Sequence, residues 1–345
     1  MRDPSIRLVL VTDAWFPQVN GVVNSLDHVV RALRARGDEV TVVGPDRFRT
    51  LPCPTYPEIP LALARPSEIA RLIDVDPGAF VHIATEGPLG LLARRHCVAR
   101  KRVFTTSYHT KFPEYLSARV PVPQSWGYAF MRRFHNAGSG CMVATISLRD
   151  DLARRGFRNL LFWSRGVDHQ LFRPRPGADL GLPRPIFLSV GRVAIEKNLE
   201  AFLKLDLPGS KVVVGDGPAR AELMRTYPAA HFLGALPTDK LAEAYAAADV
   251  FVFPSLTDTF GNVLLEALAS GVPVAAFPVT GPKDVITDPR AGALDVDLRK
   301  AALGALNLSR QTAREFALGF SWEASAAAFR DNILTAQGLK TIAAA

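Results

Sequence analysis

The chain has 345 residues, 48% of them hydrophobic and 21% charged, which is the composition of a globular protein with room for two domains. No apolar run approaches the roughly 20 residues that a membrane-spanning helix needs, and the N-terminal residues read as a first strand rather than a leader. Cys53, Cys97 and Cys141 are widely spaced, match no disulfide or zinc pattern, and point to a reducing cytoplasmic setting. Charge is unevenly placed. Residues 1–172 hold 23 Lys and Arg against 15 Asp and Glu, a net +8, whereas residues 173–345 hold 18 of each. The basic half fits an anionic partner (a membrane surface, nucleic acid or an acidic acceptor) or simply an Arg-rich surface.

In chain order, residues 6–12 form a near-continuous apolar run, the pattern of a strand covered on both faces of a parallel sheet. The loop DAWFPQVNG leads into a helix over about 21–36. There Val22, Val23, Leu26, Val29, Val30 and Leu33 recur at helical spacing, and Gly37 ends it. A strand over 39–43 completes a first βαβ unit, and further strands are expected over 80–84, 103–107 and 141–146 with helical segments between them. The alternation predicts a doubly wound α/β domain. From 159 to 176 the period breaks, which marks an interdomain linker, placed at 166–175. A second βα series begins at Pro185: strand IFLSVGR, a helix over 199–205, strand KVVVGDG, a helix over 219–227, a strand over 231–233 and a helix over 238–247. A strand–loop–helix–strand element over 250–276 follows, and helices near 309–318 and 322–337 close the chain. The expected domains are 1–165, joined by 322–345 packing back on it, and 176–321. A ligand cleft is expected between the strand C-termini of the two.

Several short constellations carry chemistry. GRVAIEKN, residues 191–198, places Arg192 and Lys197 after a strand, where an arginine fork and a lysine point charge suit a diphosphate, though solvated loop cations look the same. GDGP at 215–218 offers Gly215 and Gly217 for close backbone approach to a ligand, or for a plain turn. Asp258 lies in a loop and Glu266 on the following helix, whose N-terminus at Phe260, Gly261 and Asn262 favours an anion. Asn20–Gly21 opens the first helix. His109, in SYHTKFPEY, follows a strand, as does Glu86 in ATEGPLG.

Taken together, GRVAIEKN, GDGP, PSLTDTFGNVLLEALASGVPV (254–274) and SYHTKFPEY resemble the retaining nucleotide-sugar glycosyltransferases of family 4. The match runs in the expected order over roughly residues 8–330. The resemblance implies the GT-B fold: two Rossmann-like α/β domains facing each other across a cleft, with the C-terminal helix returning to the first. It implies that Arg192 and Lys197 bind the donor diphosphate, that Glu266 holds the ribose hydroxyls, and that Asp258 with the backbone of Phe260, Gly261 and Asn262 holds sugar and phosphates. His109 would contact the donor sugar and Gly21 would lie near the diphosphate. No metal or other cofactor is implied, because two cations and a helix N-terminus can carry the leaving-group charge. The acceptor would enter on the face the leaving group departs from, with the departing phosphate helping to deprotonate it. Two departures stand out. Asp258 occupies a position where the family has Glu, and VTGPKDVI at 279–286 replaces a Gly-Gly-x-x-Glu loop.

The segment 120–135, VPVPQSWGYAFMRRFH, puts Trp126, Phe130 and Phe134 at four-residue spacing beside Arg132 and Arg133. It fits either a helix lying on an anionic membrane or one packing its apolar face into its own domain. The TEGPLG, HTKFPEY and TDTFG variants resemble family members that glycosylate membrane lipids, among them diacylglycerol and phosphatidylinositol. The expectation is a peripheral enzyme on the inner face of the membrane, moving a hexose or hexuronic acid from a nucleotide diphosphate sugar, UDP-sugar favoured (UDP-glucose first), to a lipid. The alternative is a GDP-mannose-dependent mannosyltransferase acting on phosphatidylinositol or a soluble glycan. A dehydrogenase is disfavoured because no G-x-G-x-x-G follows the first strand. A nucleotide-sugar epimerase and a basic nucleic-acid-binding module rank behind, and no nucleic-acid partner is expected.

Overall fold

The computed structural model describes residues 4–53, 56–117 and 120–338, so residues 1–3 and 339–345 of the expected first domain lie outside the described residues. The chain divides into two compact units, 1–165 with 322–345, and 166–321.

In the first unit, strands β1 (Arg7–Val11), β2 (Glu39–Val43), β5 (Phe80–Ile83), β6 (Thr105–Tyr108), β7 (Gly140–Val143) and β8 (Leu160–Phe162) form one parallel sheet in the order β2-β1-β5-β6-β7-β8. The apolar run of β1 serves two cores because successive side chains point to opposite faces. Leu8 and Leu10 pack with α1 (Gly21–Ala35), and Val9 and Val11 pack with α2 (Pro66–Asp74) and α3 (Pro88–Ala99). Between β2 and α2 lies an antiparallel hairpin, β3 (Thr50–Cys53) and β4 (Tyr56–Ala62), whose proline-broken sequence shows no clear strand period. Helices α4 (Phe112–Ser117), α5 (Gln124–His135) and α6 (Ile146–Arg154) complete this stretch. The strand expected at 103–107 is displaced to Thr105–Tyr108, so His109 follows it directly. The break in period at 159 conceals β8, a three-residue edge strand too short to show an alternation.

The second unit repeats the plan. Strands β9 (Ile186–Val190), β10 (Ser210–Val214), β11 (His231–Gly234), β12 (Val250–Phe253), β13 (Val274–Ala276) and β14 (Gly292–Leu294) run parallel in the order β11-β10-β9-β12-β13-β14. Its helices are α7 (Leu199–Leu203), α8 (Arg220–Thr226), α9 (Thr238–Ala247), α10 (Asn262–Ala269), α11 (Pro282–Val285), α12 (Leu298–Ala305) and α13 (Arg310–Ala317). In each sheet the first strand of the unit lies inside, and strand order reverses beside it. Chains leave β1 and β5, or β9 and β12, in opposite directions there, which opens a crevice at the strand C-termini.

Residues 167–172 are bonded into the second unit. Val167 donates to the Phe320 carbonyl at 3.2 Å, and Arg314 of α13 reaches the carbonyls of Phe172 (2.7 Å) and His169 (3.1 Å).

The last helix, α14 (Trp322–Ala336), packs on the first unit. Trp322 stacks on His28 with ring centroids 4.7 Å apart, and Phe329 lies 4.8 Å from both His82 and Trp163. Arg330, buried, reaches the buried carboxylate of Asp38 at 3.4 Å and also donates to the Pro4 carbonyl. Trp163, itself fully buried, donates its indole N–H to Ser325 of α14 (3.1 Å to Oγ, 3.2 Å to the carbonyl).

Phe329→Ala is expected to remove a fully buried ring from this joint and cost about 3–5 kcal/mol. Urea titration followed by tryptophan fluorescence would report it, since Trp163 and Trp322 sit in the same cluster. A loss under about 1 kcal/mol would mean that α14 contributes little to the first unit.

Candidate active site

The reversal between β9 and β12 brings together two of the sequence motifs. After β9 the chain makes a single 3-10 turn, Ile195–Lys197, and then Asn198 in the left-handed conformation (φ 51°). Asn198 donates to the Pro254 carbonyl at 3.0 Å, and Ser255 and Thr257 reach back to the Glu196 carbonyl at 3.4 Å each. This stitching fixes the loop after β12 against the turn after β9. Its product is an ion pair between residues 61 positions apart: Lys197 Nζ lies 2.6 Å from Asp258 Oδ1, with side chains only 24% and 15% exposed. Asp258 Oδ2 is buried and has no hydrogen-bond partner among the described residues. Arg192, half-buried, sits in the same loop two residues past β9.

Three residues beyond Asp258, Gly261 opens α10 with φ 87°, a left-handed conformation that disfavours any side chain. Gly261, the residue before α10, brings no side chain of its own to cap the first N–H groups, and the helix dipole adds partial positive charge there. Phe260 is buried and Asn262 half-buried. The loop at 279–286 closes on this site from a third direction. Gly281 has φ 96°, and a Cβ there would stand 3.0 Å from the Phe260 carbonyl oxygen.

Glu266 lies one turn further along α10 and is buried. Its Oε2 accepts a 2.9 Å hydrogen bond from the hydroxyl of Tyr245 on α9, whose ring is held between Phe172 and Phe251 at 5.6 and 5.7 Å. Burial pushes the Glu266 carboxyl up to about 7, against the smaller opposing effect of the tyrosine hydroxyl.

Gly215 and Gly217 are required by packing whether or not they also approach a ligand. A Cβ at Gly215 would stand 1.9 Å from the Gly191 carbonyl oxygen, and one at Gly217 would stand 2.4 Å from that of Val193. Close approach between the loops after β9 and β10 already demands both glycines, before any ligand is considered.

In the first unit, Asn20 caps α1, its Oδ1 accepting from the Val22 and Val23 amides at 3.0 Å each, so Gly21 is the first helical residue. His109 follows β6 with Nδ1 3.4 Å from an Arg165 guanidinium nitrogen. Burial, then Arg165, His82 and His135, hold its imidazole well below the ordinary histidine range, so it is neutral. Glu86 is bound inward, 3.0 Å from His135 Nε2. On α5 the expected aromatic stripe splits. Phe134 is 2% exposed and packs in the core with Phe104 and Cys97, which corrects its placement on the outer face. Trp126 (71%) and Phe130 (42%) stay exposed with Arg132 and Arg133, while Tyr128 and Met131 turn inward. Residue 134 is two turns from 126 and four residues from 130. The apolar face therefore drifts across the core boundary.

Two family models cover most of the chain: "Glycosyltransferase Family 4" over residues 19–171 and "Glycosyl transferases group 1" over 184–307. A GDP-mannose-dependent alpha-mannosyltransferase of Mycobacterium tuberculosis is 34% identical over 317 residues, covering 84% of this chain and 83% of the relative. The chain belongs to the family 4 glycosyltransferases. An alpha-monoglucosyldiacylglycerol synthase of Streptococcus pneumoniae is 27% identical, covering 87% of this chain and 78% of the relative. Among solved structures, sucrose-phosphate synthase from Thermosynechococcus elongatus superposes with a TM-score of 0.74 at 20% identity, covering 97% of this chain and all of that one. It shares the GT-B fold of two Rossmann-like domains. As a glycosyltransferase, the enzyme moves a sugar from a nucleotide donor. The motifs did not single out Tyr245 and Arg165, which touch Glu266 and His109. Neither stands in a motif, and each is found only through the side chain it touches.

The raised Glu266 carboxyl has a stability consequence of definite sign. Its folded value near 7 lies above the ordinary 4.5, so between those values the folded state holds more of the proton than the unfolded state. Stability from this group therefore falls as pH rises through that window, by about 3 kcal/mol in all. Glu266→Gln keeps the acceptor for Tyr245 and removes the charge. It should melt higher than the parent at pH 8 and no higher at pH 4, below that window, in calorimetry. A gain that is equal at both values would mean that the carboxylate is not desolvated.

Proposed function

We propose that this glycosyltransferase moves a hexose, with retention of configuration, from a nucleotide diphosphate sugar to a membrane lipid, and that GDP-mannose is the donor. The observation that carries the reading is the Lys197–Asp258 pair beside the N-terminus of α10, which Gly261 opens in a left-handed conformation. A diphosphate leaving group gains negative charge as the anomeric C–O bond breaks. Lys197, Arg192 and the α10 N-terminus supply preorganised positive charge for it, without dependence on a divalent ion. Asp258 Oδ2 is an acceptor in want of a donor, which suits a sugar hydroxyl. The ribose hydroxyls would donate to Glu266, and doing so would draw its carboxyl back toward the charged form. The family resemblance further assigns His109, which is neutral, to the donor sugar and Gly21 to the diphosphate. The electron pair of the broken bond passes to the diphosphate, the acceptor oxygen bonds to the anomeric carbon on that same face, and the acceptor proton goes to the departing phosphate oxygen.

The donor assignment leans on the mannosyltransferase named at 34% identity, which shifts the preference from the UDP-sugar read from the motifs to the alternative weighed beside it. For the lipid acceptor, support comes from the diacylglycerol glucoside synthase among the relatives, and from Trp126, Phe130 and Arg133 exposed along α5. Among the described residues no helix is long and apolar enough to cross a membrane, so attachment would be by this surface.

A donor panel of GDP-mannose, UDP-glucose and UDP-glucuronic acid against phosphatidylinositol and diacylglycerol vesicles, with products read by mass spectrometry, tests the reading. GDP-mannose should give the mannolipid, and Lys197→Ala should lower kcat/KM by about 10²–10³. A Lys197→Ala enzyme with full turnover would overturn the site assignment. Replacing Trp126 and Phe130 together by Ala should reduce sedimentation with anionic vesicles about tenfold or more. Unchanged sedimentation would remove α5 as the docking helix.

A further inference from the structure

The first unit contains a cation that the chemistry above does not use. Arg165 is 4% exposed, and burial alone pushes its guanidinium down to about 9, with no carboxylate among the described residues to support it. A buried arginine without a counter-ion is costly and needs a compensating arrangement. Here the guanidinium lies 3.9 Å over the Trp163 ring and donates to the Trp163 carbonyl at 2.7 Å. Its other arm points at His109 Nδ1, 3.4 Å away. Trp163 is in turn pinned by α14, through Ser325, whose hydroxyl also donates to the Ser164 carbonyl at 2.8 Å.

We infer that Arg165 is a positioning residue that fixes the tautomer of His109. An arginine has five N–H donors and no acceptor, so Nδ1 facing it can only accept. A neutral imidazole with Nδ1 unprotonated carries its proton on Nε2, and it presents that N–H as a donor of fixed direction. Burial first, and the surrounding charge after it, keep the ring in this neutral form. Arg165 faces it from the loop after β8, His82 from β5 and His135 from α5, and no carboxylate contributes. His82 is neutral, pushed down to about 3 and bonded to Thr105 and Ser107 through its two nitrogens at 2.8 and 2.9 Å. His135 is pushed up to about 10 against its own burial, by Cys141 first and then by Glu86, which lies 3.0 Å from its Nε2. The chain of support runs from α14 through Trp163 and Arg165 to His109. It sets the hydrogen-bond polarity of the one histidine assigned to the donor sugar, and so it rests on that assignment. A sugar hydroxyl opposite Nε2 must then accept, which favours a hydroxyl oxygen whose own proton is committed elsewhere.

Long-range ¹H–¹⁵N spectra of the ¹⁵N-labelled full chain, with His109 assigned by comparison with His109→Gln, read the tautomer directly. The expected result is an unprotonated Nδ1 and a protonated Nε2 that do not change between about pH 5.5 and 8. A proton on Nδ1 in the parent protein overturns the inference, and this needs no variant to fold. Arg165→Met should let the ring populate the other tautomer and titrate at higher pH than in the parent, since one charge that lowers it is gone, whereas Arg165→Lys, still a donor, should restore the parent spectrum. An Arg165→Met spectrum identical to the parent's overturns the inference as well. In transfer assays Arg165→Met should lower kcat by about 10–100-fold, the usual worth of a partner that orients a functional histidine, and add an acidic limb to the pH profile, with donor KM little changed. His109→Ala decides the separate question. Full turnover there would sink the role given to His109 and leave the tautomer result standing.

Discussion

Lys197 and Asp258 meet because two parallel strands, β9 and β12, end side by side where the strand order reverses, and the loops leaving them are stitched together by backbone carbonyls. Everything chemical in the second unit depends on that constraint. The turn that carries Lys197 needs Asn198 in a left-handed conformation, α10 needs Gly261 in another, and Gly281 lets a third loop reach the Phe260 carbonyl. The cationic side chain is held by a carboxylate that keeps one oxygen unsatisfied, so charge and orphan acceptor are presented together.

Burial sets the protonation states around these groups. Glu266 is held up near neutrality by desolvation, a cost that stability carries at pH 8 and that ribose hydroxyls would offset. In the first unit the same physics works on cations. His82 and His109 are held neutral, His135 is charged against Glu86, and Arg165 survives without a carboxylate by stacking on Trp163. The C-terminal helix α14 therefore does more than cover a sheet face, because it holds the indole on which the arginine rests.

The sequence determined the periodicities, and with them the fold. Apolar runs in β1 and β12 with helical spacing between them leave a parallel, doubly wound sheet as the economical solution, because such strands must be covered on both faces. Short edge elements such as β8 and the β3–β4 hairpin carry too few residues to show a period, and they stayed illegible. Within the site, GRVAIEKN and TDTFGNVLLE announced Lys197, Asp258 and Glu266, since loop glycines and charges at strand ends are local signals. Only the tertiary structure decided that Lys197 and Asp258 share a proton-bearing contact, that Tyr245 holds Glu266, that Arg165 faces His109, and that Phe134 belongs to the core while Trp126 and Phe130 do not. Each of these is a contact between residues far apart in the chain, or a choice between two faces of one helix. Local spacing constrains neither, because packing against the rest of the fold fixes both.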